Sequence, residues 1–401
     1  MLSSFVLVNI LINHFYGTDV VGIYALSYAI AQIGILGIGS VYSLLIRRDL
    51  SVGDYDVRHY VAKVQILRSG NLAVILVFAA LGILFFYPEL RINLGLVLLM
   101  IIAKGFDALS ETYYTAYQTT NRLTDYSVLK ITNAVAFIGI SFFICASRYE
   151  IHYLYWVQAG FAVLMFVVNL VRWEGLHTLR LDRLGLAGPE FRYLLSESYP
   201  LMINAMIFQL GVRANNILVF DKLGERDLGV FSLVVITVSV FAGVANTLAI
   251  VFFGRLSKIF ADDPDIFFKR LHQTIALFLF LGTVFFCVYL LLVPLIEKLF
   301  NLGQAKQFYA LMAAAIPFMF IASCLGYVFT IIRKQKAGMY LAGVILAVNL
   351  SAYYLLTGRF GLMGAAYAFL VSAIFQSVII YCVMLISLKR SSLKDHVNIT
   401  K

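Results

Sequence analysis

The stretch NILINHFYGTDVVGIYAL, Asn9–Leu26, aligns without a gap with NILVFDKLGERDLGVFSL, Asn216–Leu233. The two segments lie 207 residues apart and share Asn-Ile-Leu at the start, two glycines five residues apart and a final Leu. The same offset places Arg48 opposite Arg255. A gap-free repeat of this kind predicts two similar halves, which is the parallel-repeat design of transporters with a site between their lobes.

The composition around this repeat is that of a membrane protein. Of the 401 residues, 62% are hydrophobic and only 13% are charged, whereas soluble domains carry about 25% charged residues. The mean hydropathy is +0.90. This composition predicts an all-α polytopic membrane protein and excludes soluble enzymes and secreted disulfide scaffolds. The net charge of +10 falls largely into short loops, so it indicates membrane orientation rather than binding of nucleic acid.

Apolar segments of about 20 residues predict about twelve spanning helices in two six-helix lobes of the same orientation. The predicted domains are an N-terminal lobe (1–172), an interfacial linker (173–198), a C-terminal lobe (199–388) and a cytoplasmic tail (389–401). The first span is short, and the repeat places Met1 opposite Phe208, which lies inside the seventh span. We therefore expect either a short first helix or a start site assigned too far downstream. The predicted spans are 1–14, 20–46, 72–87, 94–118, 126–146, 153–171, 199–220, 228–254, 274–295, 308–332, 340–356 and 362–388.

Positive charges predict the orientation of these spans. With both termini in the cytoplasm, the inside loops hold 22 of the 31 Lys and Arg residues and the outside connections hold seven. Cytoplasmic loops are enriched in Lys and Arg. The pattern therefore favours a cytoplasmic-membrane protein with cytoplasmic N- and C-termini.

Four segments carry a likeness to a known family: GTDVVGIYALSYAI, GILGIGSVYSLLIRR, NNILVFDKLGERDLGVFSL and FGLMGAAYAFLVSAIFQS. The chain resembles the O-antigen (Wzx-type) polysaccharide flippases of the multidrug/oligosaccharidyl-lipid/polysaccharide (MOP) exporter superfamily. The resemblance implies a V-shaped, MATE-like twelve-helix fold. It also implies alternating access that moves an undecaprenyl-diphosphate-linked oligosaccharide, such as an O-antigen unit, across the bacterial inner membrane. Membrane lipids, a polysaccharide polymerase and a chain-length regulator are the expected partners.

Charged residues in the fourth span form one stripe. Lys104, Asp107 and Glu111 stand at positions i, i+3 and i+7, which share one face of a helix. Charged groups at bilayer depth usually face a cavity or one another. Lys104 is expected to pair with Asp107 and to bind substrate. Glu111 is then left to titrate, to bind a cation or to meet the other lobe, so Asp107 and Glu111 are the candidates for ion coupling. A network that locks the lobe together is the alternative.

The seventh span carries a second polar face, formed by Gln209, Arg213 and Asn216 at positions i, i+4 and i+7. A guanidinium donates bidentate hydrogen bonds to phosphate, so Arg213 is the candidate ligand for a lipid diphosphate. The alternatives are an Arg213 that reaches outward or pairs with Asp221. Asn9, the repeat mate of Asn216, is expected to line the same site from the first lobe or to bond a neighbouring helix.

Arg68 lies at the predicted cytoplasmic entrance of the third span. It either draws an anionic headgroup inward as part of the substrate site or serves as an orientation charge. The aromatic residues Tyr113, Tyr114 and Tyr117 either stack on sugars or pack against lipid and helices.

The same sequence also bears on other functions. The chain lacks a GxxxxGK[ST] loop, and its four cysteines lack metal spacing, so neither an enzyme, a metal site nor a cofactor is expected. A cation-coupled multidrug exporter of the same superfamily is the main alternative. A membrane polymerase or glycosyltransferase is a weaker one, because the outside connections are too short to hold a catalytic site.

Overall fold

The computed structural model describes residues 2–35, 42–43, 46, 57–86, 94–120, 122–174, 189–262, 264–300, 306–326, 328–332 and 335–398. All regular structure in these ranges is helical, and no strand occurs in them. The predicted all-α class is therefore confirmed. Each of the twelve predicted spans overlaps helix in these ranges.

The chain forms two compact units, Met1–Ile217 and Leu218–Lys401. In the first unit, α4 is the central helix and packs against α2, α3, α5 and α6. α1 packs against α2 and α5. The helices of this unit are α1 Leu2–Tyr16, α2 Thr18–Ile35, α3 Val57–Phe86, α4 Leu94–Thr119, α5 Leu123–Ala146, α6 Ile151–Glu174 and α7 Pro189–Leu223, the last of which continues into the second unit.

In the second unit, the neighbouring helices α8, α9 and α11 pack against one another, and α13 packs against α10, α11 and α12. The predicted span 308–332 is divided into three short helices. The two last predicted spans form one helical run that breaks at Gly361, where φ is 58°. The helices are α8 Glu225–Asp262, α9 Pro264–Phe300, α10 Lys306–Ala313, α11 Ile316–Gly326, α12 Val328–Ile331 and α13 Gln335–Asn398.

Seven helical stretches among the described residues are long and apolar enough to cross a membrane. One of them, Ala337–Ile386, contains the break at Gly361. Two shorter apolar helices, Val6–Tyr16 and Thr18–Ile33, come before them. Helix α4 is not among the seven, because the three charges of its stripe interrupt the apolar run. The chain is thus a multi-pass membrane protein.

The repeat detected in the sequence has matching backbone geometry. Gly17 lies between α1 and α2 with φ of 92°, and Gly224 lies between α7 and α8 with φ of 84°. The amide of Gly17 donates to the Asn13 carbonyl at 3.1 Å, and that of Gly224 donates to the Phe220 carbonyl at 2.9 Å. Left-handed glycine with this bond is a common way to end a helix. The repeated glycines therefore encode the same tight helix-to-helix turn twice.

Two boundaries differ from the sequence-based expectation. The compact units divide inside α7, while most of the predicted linker 173–198 lies outside the described residues, so the linker stays a prediction. Helix α3 begins at Val57, well before the predicted span at 72. Arg68 therefore lies within this helix and not at its entrance. The sequence-based boundary came too late because the charge of Arg68 interrupts the apolar segment.

Candidate functional site

Two cations from distant parts of the chain share the ring of Tyr28 in α2. The Nζ of Lys104, in α4, lies 5.5 Å from the ring centroid. The Cζ of Arg213, in α7, lies 5.1 Å from it. Cations within about 6 Å of a ring centroid are attracted by its negative face. We call Tyr28, Lys104, Asp107 and Arg213 the Tyr28 cluster.

The pair predicted in α4 is formed. The Lys104 Nζ is 3.0 Å from Oδ2 of Asp107, and the two side chains retain 16% and 25% of their exposure. One turn of helix brings the groups together, as the i, i+3 spacing requires. Asp107 is thus committed to Lys104 in this conformation, and the pair stays within reach of a polar ligand.

Among the residues that the structure describes, Arg213 is the cation of the cluster without a carboxylate partner. Its Nε is buried without a hydrogen-bond acceptor among the described residues. Asp221, the alternative partner suggested by the sequence, instead lies 3.3 Å from its neighbour Lys222. Two cations and one carboxylate leave the Tyr28 cluster with one net positive charge. A buried guanidinium donor without an acceptor is costly, so this place favours an anionic oxygen.

Glu111 has a charged partner within the first unit. Its Oε2 lies 3.2 Å from the Nζ of Lys130 in α5. The Nζ of Lys130 also lies 5.1 Å from the Tyr114 ring centroid and 5.2 Å from that of Tyr126. The pair fits the alternative of a charge network within the lobe, because α5 begins at Leu123 and carries Lys130 back along α4; the ion-coupling role of Glu111 stays a prediction.

Arg68 is a buried residue of the first unit. Its side chain has 0% exposure. The guanidinium donates to the carbonyl of Ala108 at 3.0 Å, to the hydroxyl of Ser43 at 3.1 Å and to Thr112. A buried charge needs such polar partners. In this conformation Arg68 joins α3 to α4, and its direct contact with substrate stays a prediction.

The remaining predicted residues are less informative. Asn9 is fully buried in α1, and Asn216 is partly buried in α7. The side chain of Gln209 lies outside the described part of the structure. All three stay predictions as substrate ligands.

The tyrosines of α4 pack inside the first unit. Tyr113, Tyr114 and Tyr117 have no exposed surface. Tyr114 stands edge-on to Tyr126, with 6.0 Å between centroids, and Tyr117 stands edge-on to Trp173 at 5.1 Å. The packing interpretation of these residues therefore holds in this conformation.

Two residues of the site escaped the sequence-based analysis. Tyr28 sits in an apolar run where an aromatic side chain is unremarkable, and Lys130 was not among the predicted site residues. A signal for Lys130 existed in the sequence, since it lies seven residues after Leu123 in a segment of helical character. Nothing local marked Tyr28, because its partners come from α4 and α7.

The fold can now be compared with known proteins. No protein-family model matches the chain. The structure of an inward-facing multidrug resistance MATE family transporter of the MOP superfamily superposes with a TM-score of 0.74 at 13% identity, covering 98% of this chain and 96% of that one. The chain therefore shares the fold of a MOP superfamily transporter.

Two further comparisons agree with the MOP fold. The lipid II flippase MurJ in an inward closed conformation superposes with a TM-score of 0.69 at 15% identity, over 96% of this chain and 86% of that one. The capsular polysaccharide biosynthesis protein CapF of Staphylococcus aureus is 23% identical over 347 residues, which span 82% of this chain and 83% of CapF. These similarities show a shared fold, and membership of the Wzx-type family stays a prediction.

Proposed function

We propose that the protein is a flippase that moves a lipid-linked oligosaccharide across the cytoplasmic membrane by alternating access. The substrate is an undecaprenyl-diphosphate-linked repeat unit of a surface polysaccharide, such as an O-antigen. The observation that carries the proposal is the net positive Tyr28 cluster inside a MOP fold. The similarity to CapF, a capsular polysaccharide biosynthesis protein, and to MurJ, a lipid II flippase, supports the substrate class.

The roles follow from charge and reach. Arg213 and Lys104 bind the diphosphate, because Arg213 has an unused donor and Lys104, paired with Asp107, keeps 16% of its exposure beside Tyr28. The sugar hydroxyls exchange hydrogen bonds with the side-chain amides of Asn9, Gln209 and Asn216.

Two further roles concern α4 and its neighbours. Arg68 keeps α4 in place through the Ala108 carbonyl and Thr112. Asp107 and Glu111 couple binding to an ion gradient, because protonation of either carboxylate frees its lysine partner. One elementary charge moved across 100 mV supplies about 2.3 kcal/mol, so a single coupled ion is enough to bias release.

The proposed setting is the bacterial inner membrane, with both termini in the cytoplasm. This orientation rests on the excess of Lys and Arg in alternate loops. The product emerges on the outer side, where a polysaccharide polymerase and a chain-length regulator are the partners that consume it.

The proposal is tested by transport in proteoliposomes. Purified protein is reconstituted and given a defined lipid-linked oligosaccharide, with and without an imposed pH or sodium gradient. Wild-type protein is expected to translocate the substrate, and Arg213→Gln is expected to reduce the rate at least tenfold while the protein still inserts. Arg226→Gln is the matched control, since Arg226 is an exposed arginine outside the cluster. Equal rates for Arg213→Gln and wild type would remove Arg213 from the site.

The second candidate is a cation-coupled multidrug exporter. It is favoured by the overlap with a multidrug resistance MATE transporter, and it is opposed by the surplus cation at Tyr28, which repels cationic drugs. Deletion of the gene separates the two candidates. Loss of surface polysaccharide supports the flippase, whereas intact polysaccharide with raised sensitivity to cationic dyes supports the exporter.

A further inference from the structure

A second charged group lies at the end of the first unit where α4 ends, α5 begins and α6 ends. Arg122 precedes α5, Asp125 lies in the first turn of α5, and Arg172 lies in the last turn of α6. The Oδ2 of Asp125 accepts a hydrogen bond from Nε of Arg122 at 2.8 Å, and its Oδ1 accepts one from Nη2 of Arg172. One carboxylate thus holds two guanidinium groups, and the group keeps one net positive charge.

Aromatic rings form the base of this group. The Cζ of Arg122 lies 5.0 Å from the Tyr117 ring centroid and 5.8 Å from the Trp173 ring centroid. Tyr117 and Trp173 pack edge to face. The side chains of Arg122 and Arg172 nevertheless keep 43% and 45% of their exposure. Both guanidinium groups are therefore fixed in direction and still open to a ligand. We call Tyr117, Arg122, Asp125, Arg172 and Trp173 the Asp125 cluster.

Hydrogen-bond donors outnumber acceptors in the Asp125 cluster. Each guanidinium has five N–H donors, but the contacts to Asp125 use only Nε and Nη2 of Arg122 and Nη2 of Arg172. Within the described ranges, the buried Nε1 of Trp173 and the buried hydroxyl of Tyr117 also have no hydrogen-bond partner. Buried donors nearly always have an acceptor. An oxygen-rich anion is the group that this arrangement lacks.

We propose that the Asp125 cluster binds the phosphate of an anionic phospholipid headgroup. A phosphodiester has the charge and the paired oxygens that match a guanidinium fork. The cluster sits at the ends of three helices, next to a tryptophan, which is where headgroups meet a membrane protein. Its arginines come from two loops that the charge pattern assigns to the cytoplasmic side, and basic groups between helices on that side bind anionic lipids. The partial positive charge at the start of α5 adds to the attraction.

This inference is independent of the transported substrate, and its test is a binding measurement. The chain has two tryptophans, so Trp156→Phe leaves Trp173 as the only tryptophan reporter beside the site. The full-length protein is reconstituted in vesicles in which part of the lipid is phosphatidylglycerol or phosphatidylcholine carrying brominated acyl chains, which quench tryptophan fluorescence. Inorganic phosphate and a lipid-linked oligosaccharide are added separately as competitors.

We expect half-maximal quenching of Trp173 at a mole fraction of brominated phosphatidylglycerol about ten times lower than that of brominated phosphatidylcholine. This difference is the effect of one or two charge-assisted hydrogen bonds. Arg122→Gln and Arg172→Gln should each abolish this preference, and Arg172→Lys should keep part of it. Arg270→Gln is the matched control, because Arg270 is an exposed arginine near the start of α9, in a stretch that the charge pattern assigns to the same side, and it should leave the preference intact.

Four results would overturn the inference. The first is equal quenching by the two lipids, and the second is an unchanged preference in Arg172→Gln. The third is displacement of phosphatidylglycerol by millimolar inorganic phosphate, which would make this a site for the free ion. The fourth is displacement by stoichiometric lipid-linked oligosaccharide, which would make it an entry point for that lipid.

Discussion

Glu111 in α4 and Lys130 in α5 form an ion pair in which 3.2 Å separates Oε2 from Nζ. The pair joins two helices that follow one another in the chain, and both side chains keep a little under one third of their exposure. An ion-coupling role for Glu111 therefore requires that Lys130 be released when the carboxylate takes a proton.

Neutralising Glu111 should uncouple transport from the ion gradient. Glu111→Gln leaves Lys130 without its carboxylate, and we expect the export rate to stop rising with the imposed gradient, so that the deficit relative to wild type is largest when the gradient is high. Folding stability should fall by about 1 kcal/mol, since the pair is only partly buried. Proteoliposome rates at several imposed gradients and thermal unfolding in detergent measure the two effects. In a double-mutant cycle, Lys130→Gln should restore most of the lost stability; a purely additive cycle would show that the pair contributes nothing.

Tyr28 should contribute to transport through the face of its aromatic ring. Tyr28→Phe keeps the face on which Lys104 and Arg213 lie, so we expect at least half of the wild-type transport rate. Tyr28→Leu removes the cation–π attraction, which is about 0.5–2 kcal/mol for each cation, and should lower the apparent affinity for the lipid-linked substrate by about tenfold. The readout is the substrate concentration that gives half-maximal transport. Equal affinities in Phe and Leu variants would limit Tyr28 to a packing role.

The repeated glycines make a stability prediction. Gly17 has φ of 92°, and an added Cβ there would meet no atom within 4 Å. The cost of Gly17→Ala is therefore backbone strain alone, about 1 kcal/mol. Gly224→Ala should behave alike, for the same reason.

Gly139→Ala is the matched control for the glycine variants. Gly139 also has open space around it but lies inside α5 with helical backbone, so the alanine should leave stability unchanged or raise it slightly. Thermal unfolding of the three variants in one detergent makes the comparison. Gly17→Ala as stable as Gly139→Ala would contradict the strain argument.

Arg68 should behave as a structural cation. Arg68→Lys keeps the charge but cannot reach Ala108, Ser43 and Thr112 together, because an ammonium lacks the planar fork. We expect a loss of about 2 kcal/mol in the free energy of unfolding. Thr112→Val, which removes only one of the acceptors, should cost less. Substrate affinity of the surviving folded protein should not change in Thr112→Val; a drop comparable to that of Arg213→Gln would instead place Arg68 at the substrate.

Part of the site was accessible from the sequence. The pair Lys104–Asp107 was predicted because residues three apart on a helix are neighbours whatever the rest of the fold does. The same is true of the turn at Gly17, whose repetition at Gly224 indicated a conserved local geometry. The partner of Glu111 could not be named from the sequence because it depends on where α5 begins, and helix ends are poorly specified by an apolar pattern.

By itself the sequence determined that the chain is helical, crosses the membrane many times and repeats one motif in two halves. These properties follow from composition, apolar run length and local backbone preference. Only the tertiary structure decided that Lys104 and Arg213 share the ring of Tyr28, that Lys130 neutralises Glu111, and that Arg68 is buried against α4. In helices that are apolar almost all round, no sequence period says which face meets which neighbour, so packing alone selects those contacts.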